Sequence, residues 1–494
     1  MSTIATPGRL AVLGAGHVGP VIARLAVKAG YPVAIATSGD PEDIALITEL
    51  VIPGARPRWA SDAVADADIV VLAVPLHRFG DIDPAPLDGK LVVDAMNYWP
   101  ASDGVLEPFE DGGSSGKPAS GPGAAAGRPG VRGCPGSTRV RAGRASGHQE
   151  PHMTYTFGLD TFGDRNSDAD GKPLSHAQTI RNVVEEGVFA EQAGVDFFGI
   201  GEHHTEYFPM PAGDVVLAAI AARTGRIRLG SAVTVLSSDD PVRVFQRYST
   251  LNAISGGRAE VILGRGSSIE SFPLFGYDLA DYEELFEDKA TLFAELLKGG
   301  PVTWEGKTRA PLLNQDVVPH TESGPFPAWI GVGGNPQSVI RAARLGFSLM
   351  LAIIGGPPAR FAAYSELFQR ALEKFGRPPL PVGVHSPGHV AATDEQAKAE
   401  FWPRWREIIT LIAPERGFAL PTEESFDTET GPHGALYVGS PETVARKIAS
   451  NLRVLEATRF DLKYGMPGLT HDQLMTNIEL YGGQVIPRAR ELLS

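Results

Sequence analysis

Cysteine is nearly absent from this sequence: Cys134 is the single one in 494 residues. One thiol excludes an internal disulfide framework and a cysteine-based zinc site. It fits a reducing compartment, and a cytoplasmic location is expected. Long apolar runs are lacking too. No stretch of about 18 or more apolar residues occurs, so no membrane-spanning helix is expected. The start, MSTIATPGRLAVLGAG, lacks a basic region followed by a sustained apolar stretch, so no secretory signal is expected. Basic side chains are outnumbered, 44 Lys and Arg against 58 Asp and Glu, for a net charge of −14. That balance disfavours nonspecific nucleic-acid binding. Neither nucleic acid nor membrane is expected as a partner. What is present is ordinary for a globular chain, 43% hydrophobic and 21% charged. The length points to two or more domains.

Charge is uneven along the chain. Residues 1–116 carry 7 basic and 15 acidic side chains, a balance of −8. Residues 117–152 carry 6 basic and 1 acidic, a balance of +5, and the remainder stands at −11. The middle stretch, KPASGPGAAAGRPGVRGCPGSTRVRAGRASGHQEPH, is almost without large apolar residues. It cannot bury enough surface to offset its chain entropy, so a disordered linker is expected over 117–152. It separates an N-terminal unit, 1–116, from a C-terminal unit, 153–494.

The N-terminal unit opens with a strand over 10–13 that runs into Gly14-Ala15-Gly16-His17-Val18-Gly19. A helix over 20–29 and a strand over 33–37 follow. A β-α-β unit around G-x-G-x-x-G belongs to a Rossmann-type fold. The glycines allow a tight turn and close approach of a pyrophosphate at the helix N-terminus. Gly14, Gly16 and Gly19 are therefore candidate cofactor-binding residues. An ordinary glycine-rich turn is the plainer reading, but it leaves the flanking strands and helix unexplained. The second strand ends in Thr37-Ser38-Gly39-Asp40. Thr37 and Ser38 suit a 2′-phosphate and favour NADP(H). No arginine adjoins them, and Asp40 would repel a phosphate if it turned inward. Further strands are expected over 69–74 and 91–95.

The series GAGHVG, TSGDPE, VVLAVP, VVDAMNYWP and DGGSSG resembles the NADPH-dependent reductases of the deazaflavin coenzyme, over roughly residues 9–116. The resemblance implies that residues 14–19, Thr37, Ser38 and Val74 line the nucleotide site. It stops after Gly116, where that family continues into a half that helps form the dimer and the coenzyme site. The unit is therefore expected to be truncated, a remnant fused to a self-sufficient enzyme. A genuine tethered domain is the alternative.

From residue 153 strand and helix alternate eight times. Strands are expected over 155–160, 195–200, 227–236, 259–263, 328–332, 348–353, 381–385 and 460–464. A loop and helix are inserted over about 282–298. This is the pattern of a (β/α)8 TIM barrel, whose chemistry sits at the carboxyl ends of the strands. The second strand ends in Gly201-Glu202-His203-His204. Adjacent residues on an extended chain point to opposite sides. One histidine can face the barrel mouth and the other a neighbouring element. Two structural histidines are the plainer reading.

Gly333-Gly334-Asn335-Pro336-Gln337-Ser338 leads from the fifth strand into a helix. Its glycines bare N–H groups, Asn335 can cap the helix, and Pro336 suits the first turn. Such a helix start suits a phosphate, although an ordinary capped helix is the plainer reading. Arg265, ending the fourth strand, can grip a phosphate in two-pronged fashion or pair with a barrel carboxylate. His385 and His389 do not share a helical face. The mouth is expected to be free of lysine and poor in carboxylates, which argues against Schiff-base and glycosidase chemistry. No metal site is expected.

EHHTEYF at 202–208, DPVRVFQRYSTLNAISGGRAEVILGRG at 240–266 and GVGGNPQSVIRAARLG at 331–346 resemble the bacterial luciferase-like flavin monooxygenases. The resemblance covers essentially all of 153–494. It implies a β/α barrel, commonly dimeric, that binds reduced flavin or the deazaflavin coenzyme. It also implies a catalytic His203 supported by His204 and Glu202. Arg265, Gly333, Gly334, Asn335 and Ser338 would hold the cofactor phosphate. Gly264 stands where true luciferases carry a reactive cysteine, so light emission is not implied. The expected function is an FMN-dependent monooxygenase acting with oxygen on a small organic substrate. A homodimer and a separate flavin reductase are the expected partners. Deazaflavin-dependent hydride transfer and a non-catalytic flavin-binding protein are the alternatives.

Overall fold

The computed structural model describes residues 8–96, 154–266, 269–322, 324–416 and 419–494. The linker expected over 117–152 lies outside the described residues.

The N-terminal unit follows the order β1 (Leu10–Leu13), α1 (Gly19–Lys28), β2 (Val33–Ala36), α2 (Ala45–Val51), β3 (Arg56–Pro57), α3 (Ala60–Ala65), β4 (Ile69–Leu72) and β5 (Leu91–Asp94). Its sheet is parallel, in the order β3-β2-β1-β4-β5. That is a Rossmann-type arrangement, with the first strand central. The apolar LAVL of β1 is buried throughout, as a central parallel strand requires. Gly14 has φ +120°. A Cβ there would lie 2.3 Å from the Ala73 carbonyl oxygen, and a Cβ on Gly19 would lie 1.8 Å from that of Gly14. Neither position admits a side chain, which is why the turn needs glycine at both.

The C-terminal unit is a closed barrel of eight parallel strands. They are β6 (Thr156–Thr161), β7 (Phe197–Ile200), β8 (Arg228–Ser231), β9 (Ala259–Gly264), β10 (Ala328–Val332), β11 (Ser348–Ala352), β12 (Val382–Val390) and β13 (Arg459–Lys463). Neighbours pair in sequence order, and β13 closes on β6 with Lys463 opposite Asp160. Each strand stands where the alternation placed it, although β12 runs on to Val390. Around it lie α4 (His176–Ala193), α5 (Gly213–Ala221), α6 (Pro241–Ser255), α7 (Tyr282–Leu296), α8 (Pro336–Leu345), α9 (Ala362–Lys374), α10 (Asp394–Arg416), α11 (Pro441–Val454), α12 (His471–Leu480) and α13 (Ile486–Leu493). Helix α11 exceeds one helix per strand. Its amphipathic PETVARKIASNLRV buries Val444, Ile448 and Leu452. The chain's last described stretch is two helices joined by a π-helical turn at Tyr481–Val485, which contains Gly482 and Gly483.

The barrel interior is packed. Phe197, Ile262, Trp329 and Met350 form a plug, and each fully buried side chain of this size stabilises by about 1.5–3 kcal/mol. Arg459 lies between the rings of Phe197 and Trp329, 4.0 and 4.8 Å from their centroids. It pairs with Asp461 at 2.8 Å and with Glu260. Small residues make room for this cluster: a Cβ on Gly158 would lie 2.3 Å from Asp461 Oδ1.

The two units pack together through α2, which lies against α8 and α9. Ile47 and Val51 join the same buried apolar cluster as Val339 and Phe368. Glu49 meets Arg370 at 3.3 Å. This docking puts the Gly14–Gly19 turn on the carboxyl-end face of the barrel, where both line one cavity.

Candidate active site

That cavity has a volume of about 2330 Å³. Its floor is the barrel mouth. Glu202, His203 and His204 all border it. His203 and His204 form a two-residue strand paired with Pro209–Met210, which fixes the backbone that carries both rings. Nδ1 of His203 donates to Glu270 Oε1 at 3.0 Å. Its ring forms a three-ring cluster with Phe162 and Phe208, at centroid distances of 4.8 and 5.1 Å. Burial opposes the charge on Glu270, but the hydrogen bond and charge of His203 prevail and hold its carboxyl below the usual value. His204 turns the other way. Its Nε2 donates to Glu202 Oε1 at 3.0 Å, and its ring stands edge-on to Phe275. Glu202 Oε2 accepts from the Val235 backbone at 2.8 Å, tying the end of β7 to the chain beyond β8.

Phe162, which follows β6, contacts two histidines. His385 stacks on it at 6.1 Å. His385 Nδ1 donates to Asp160 Oδ2 at 2.8 Å. Burial disfavours the imidazolium, yet Asp160 outweighs it and raises the pKa of His385. Asp160 Oδ1 is buried and has no hydrogen-bond partner among the described residues. Lys463, ending β13, is bound by Asp164 and by the Gly465 carbonyl at 2.5 Å, and lies over Phe162. Asp160, Glu270, Glu283, Asp461 and Lys463 all line the cavity. The mouth is therefore neither lysine-free nor poor in carboxylates. Lys463 is nonetheless held in an ion pair. Sequence reasoning missed His385, Asp160, Lys463 and Glu270. A signal was available for Asp160 and Lys463, which stand at the carboxyl ends of barrel strands.

The anion-type loop takes the expected form. Asn335 caps α8 by accepting from Gln337 N at 2.9 Å, and Pro336 occupies the first turn. Gly333, Asn335 and Gln337 line the cavity. A Cβ on Gly333 would meet nothing within 4 Å, so the bare backbone faces open space. Tyr364 Oη donates to the Gly334 carbonyl at 2.7 Å. Ser338 is buried, its hydroxyl without a partner among the described residues. Arg265 borders the cavity and pairs with Glu283. Both features fit a phosphate: an open glycine turn at a capped helix start, and a cation lining the same cavity. A Cβ on Gly264 would lie 2.4 Å from Val233, so no cysteine could stand there without moving its neighbour.

In the N-terminal unit Gly14, Gly16, Thr37, Ser38 and Val74 also border the cavity. Gly19 does not, and serves the tight packing of the turn. A Cβ on Gly16 would meet nothing within 4 Å, leaving the open cradle that a pyrophosphate requires. Asp40 is engaged elsewhere, accepting from Glu42 N at 2.9 Å. Among the described residues no helix is long and apolar enough to cross a membrane.

Comparison with known proteins agrees with this division. Residues 9–98 match the family model described as NADP oxidoreductase, coenzyme F420-dependent. The N-acetyl-S-alkylcysteine monooxygenase of Bacillus subtilis is 28% identical over 253 residues, 49% of this chain and 70% of its own. Among solved structures, the oxygenating constituent of 3,6-diketocamphane monooxygenase from Pseudomonas putida, in complex with FMN, superposes with a TM-score of 0.55 at 19% identity. It is covered to 99% by 68% of this chain. The coenzyme F420-dependent tetrahydromethanopterin reductase of Methanopyrus kandleri gives 0.54 at 19% identity, with the same coverage. At such identities the structures share the fold. Residues 162–458, more than half of the sequence, match the luciferase-like monooxygenase model, and the chain belongs to that family.

Proposed function

We propose that the chain is a monooxygenase that uses reduced FMN and molecular oxygen on a small organic substrate. The observation that carries this reading is the His203–Glu270 pair at the barrel mouth. A carboxylate only accepts, so Nδ1 holds the proton and Nε2 is the basic position of the ring. Reduced flavin, when bound, supplies the electrons that activate oxygen. The chain's own residues do the rest. His203 exchanges a proton with the reacting groups, and Glu270 fixes its tautomer and steadies its positive charge. Phe162 and Phe208 keep water from the ring. Glu202 and His204 hold the strand end in place. Arg265 and the 333–335 turn hold the phosphate, with Gly334 and Ser338 behind. Gly14, Gly16, Thr37 and Ser38 hold NADP(H), on a turn whose close packing needs Gly19. The B. subtilis monooxygenase and the FMN complex of the P. putida protein support this reading.

Deazaflavin-dependent hydride transfer on the same barrel is the second reading. The family match of residues 9–98 favours it, as does the likeness to the M. kandleri reductase. The test is direct. The purified protein is titrated with FMN and with the deazaflavin coenzyme, and oxygen uptake is followed with reduced FMN across a panel of organic sulfides and ketones. Flavin binding with incorporation of labelled oxygen supports the monooxygenase. Binding of the deazaflavin alone transfers the assignment to the second reading.

A further inference from the structure

Two glycine-rich turns face one cavity. One is the Gly14–Gly19 turn of the N-terminal unit, and the other is the Gly333–Asn335 turn of the barrel. They come close together. A Cβ on Gly334 would lie 3.8 Å from Nδ1 of His17, the residue in the middle of the first turn. The cavity, about 2330 Å³, is more than twice the ~1,000 Å³ at the upper end for one small-ligand site. Burial lowers the pKa of His17, and Arg265 pushes it the same way against the opposing pull of Glu283. A neutral imidazole carries one donor and one acceptor, and can stand between two anionic groups without repelling either protonation state of a phosphate. The docking that creates this arrangement rests on buried apolar side chains of α2, α8 and α9.

We propose that the cavity is a two-cofactor chamber that holds a nicotinamide dinucleotide on Gly14–Gly19 and the flavin on Gly333–Asn335 at the same time, so that the flavin is reduced within one chain. The step balances without a further reactant. The C4–H bond of the dihydronicotinamide breaks, and the hydrogen leaves with both electrons to form a bond at N5 of the oxidised flavin. The nicotinamide loses two electrons and becomes the pyridinium, and the flavin gains two. The inference rests on the flavin reading of the barrel.

The full-length protein is first titrated with FMN by flavin fluorescence, and the FMN-loaded protein is then titrated with NADP⁺. NADP⁺ is expected to bind the loaded protein and to perturb the flavin fluorescence. Gly16→Val, which fills the open cradle, is expected to weaken NADP⁺ by at least about tenfold, or about 1.4 kcal/mol. The same substitution leaves the FMN titration as it was. Anaerobic NADPH is expected to bleach the bound flavin at a rate independent of protein concentration. Mutual displacement of NADP⁺ and FMN, or a bleaching rate that climbs with protein concentration, overturns the chamber. Failure of FMN to bind in the first titration overturns the flavin reading itself, and is told apart at that stage.

Discussion

Nδ1 of His203 lies 3.0 Å from Oε1 of Glu270, a residue 67 positions further along the chain. Glu270 stands just before the short helix Ser271–Phe275 that follows the fourth barrel strand. One residue follows the second strand and the other follows the fourth, and they meet because a barrel gathers its strand ends on one face.

The first prediction concerns this pair. His203→Ala retains FMN binding and loses oxygenation by about 10²-fold or more, the scale of a general acid or base. Glu270→Gln keeps the shape but can offer either an N–H or an oxygen, so the ring tautomer is no longer fixed. Its turnover falls less, and its pH–rate profile changes shape. Equal turnover by His203→Ala and the parent on a competent substrate would remove the proposed role.

Arg265 and Glu283 give the second prediction. Arg265→Ala weakens FMN by about 1.5–3 kcal/mol, the range for a charged hydrogen bond. Riboflavin, lacking the phosphate, loses much less. Glu283 is half exposed and competes for the same guanidinium. Glu283→Gln should therefore tighten FMN by about 0.2–1 kcal/mol, the worth of an exposed ion pair. A fluorescence titration in which FMN and riboflavin lose equally shows that Arg265 does not read the phosphate.

The barrel interior gives the third. Arg459 is buried with Asp461 and Glu260 as its carboxylate partners. Arg459→Met leaves both carboxylates without that counter-charge and lowers stability by about 3–5 kcal/mol in urea denaturation. A loss under about 1 kcal/mol would mean that the carboxylates take up protons instead.

A pH dependence follows from His385 and Asp160. Asp160 raises the pKa of His385 above its ordinary value of 6.5. A raised pKa in the folded state stabilises fully below the unfolded value. That contribution is lost as the pH climbs through the folded value. The parent's stability advantage over His385→Gln should therefore shrink as the pH rises above the ordinary histidine value of 6.5. Urea midpoints at several pH values decide it, and an advantage that grows with pH contradicts the pairing.

The division into two units, the Rossmann-type turn and all eight barrel strands were legible in the sequence. Each is a local signal: a glycine spacing, an apolar run, a cap such as Asn335-Pro336. His203, Arg265 and Asn335 were legible for the same reason, since each ends a strand or starts a helix. Their partners were not. Asp160 and His385 are 225 residues apart, Arg459 and Glu260 are 199 apart, and Lys463 and Asp164 are 299 apart. A charged residue shows nothing in one sequence of which opposite charge it will meet, because that depends on strand register and closure. The orientation of the two units was equally hidden. The sequence by itself determined which elements form and which residues stand at their ends. Only the tertiary structure decided that Gly16 and Gly333 border one cavity, because that depends on apolar packing between α2 and the barrel helices α8 and α9.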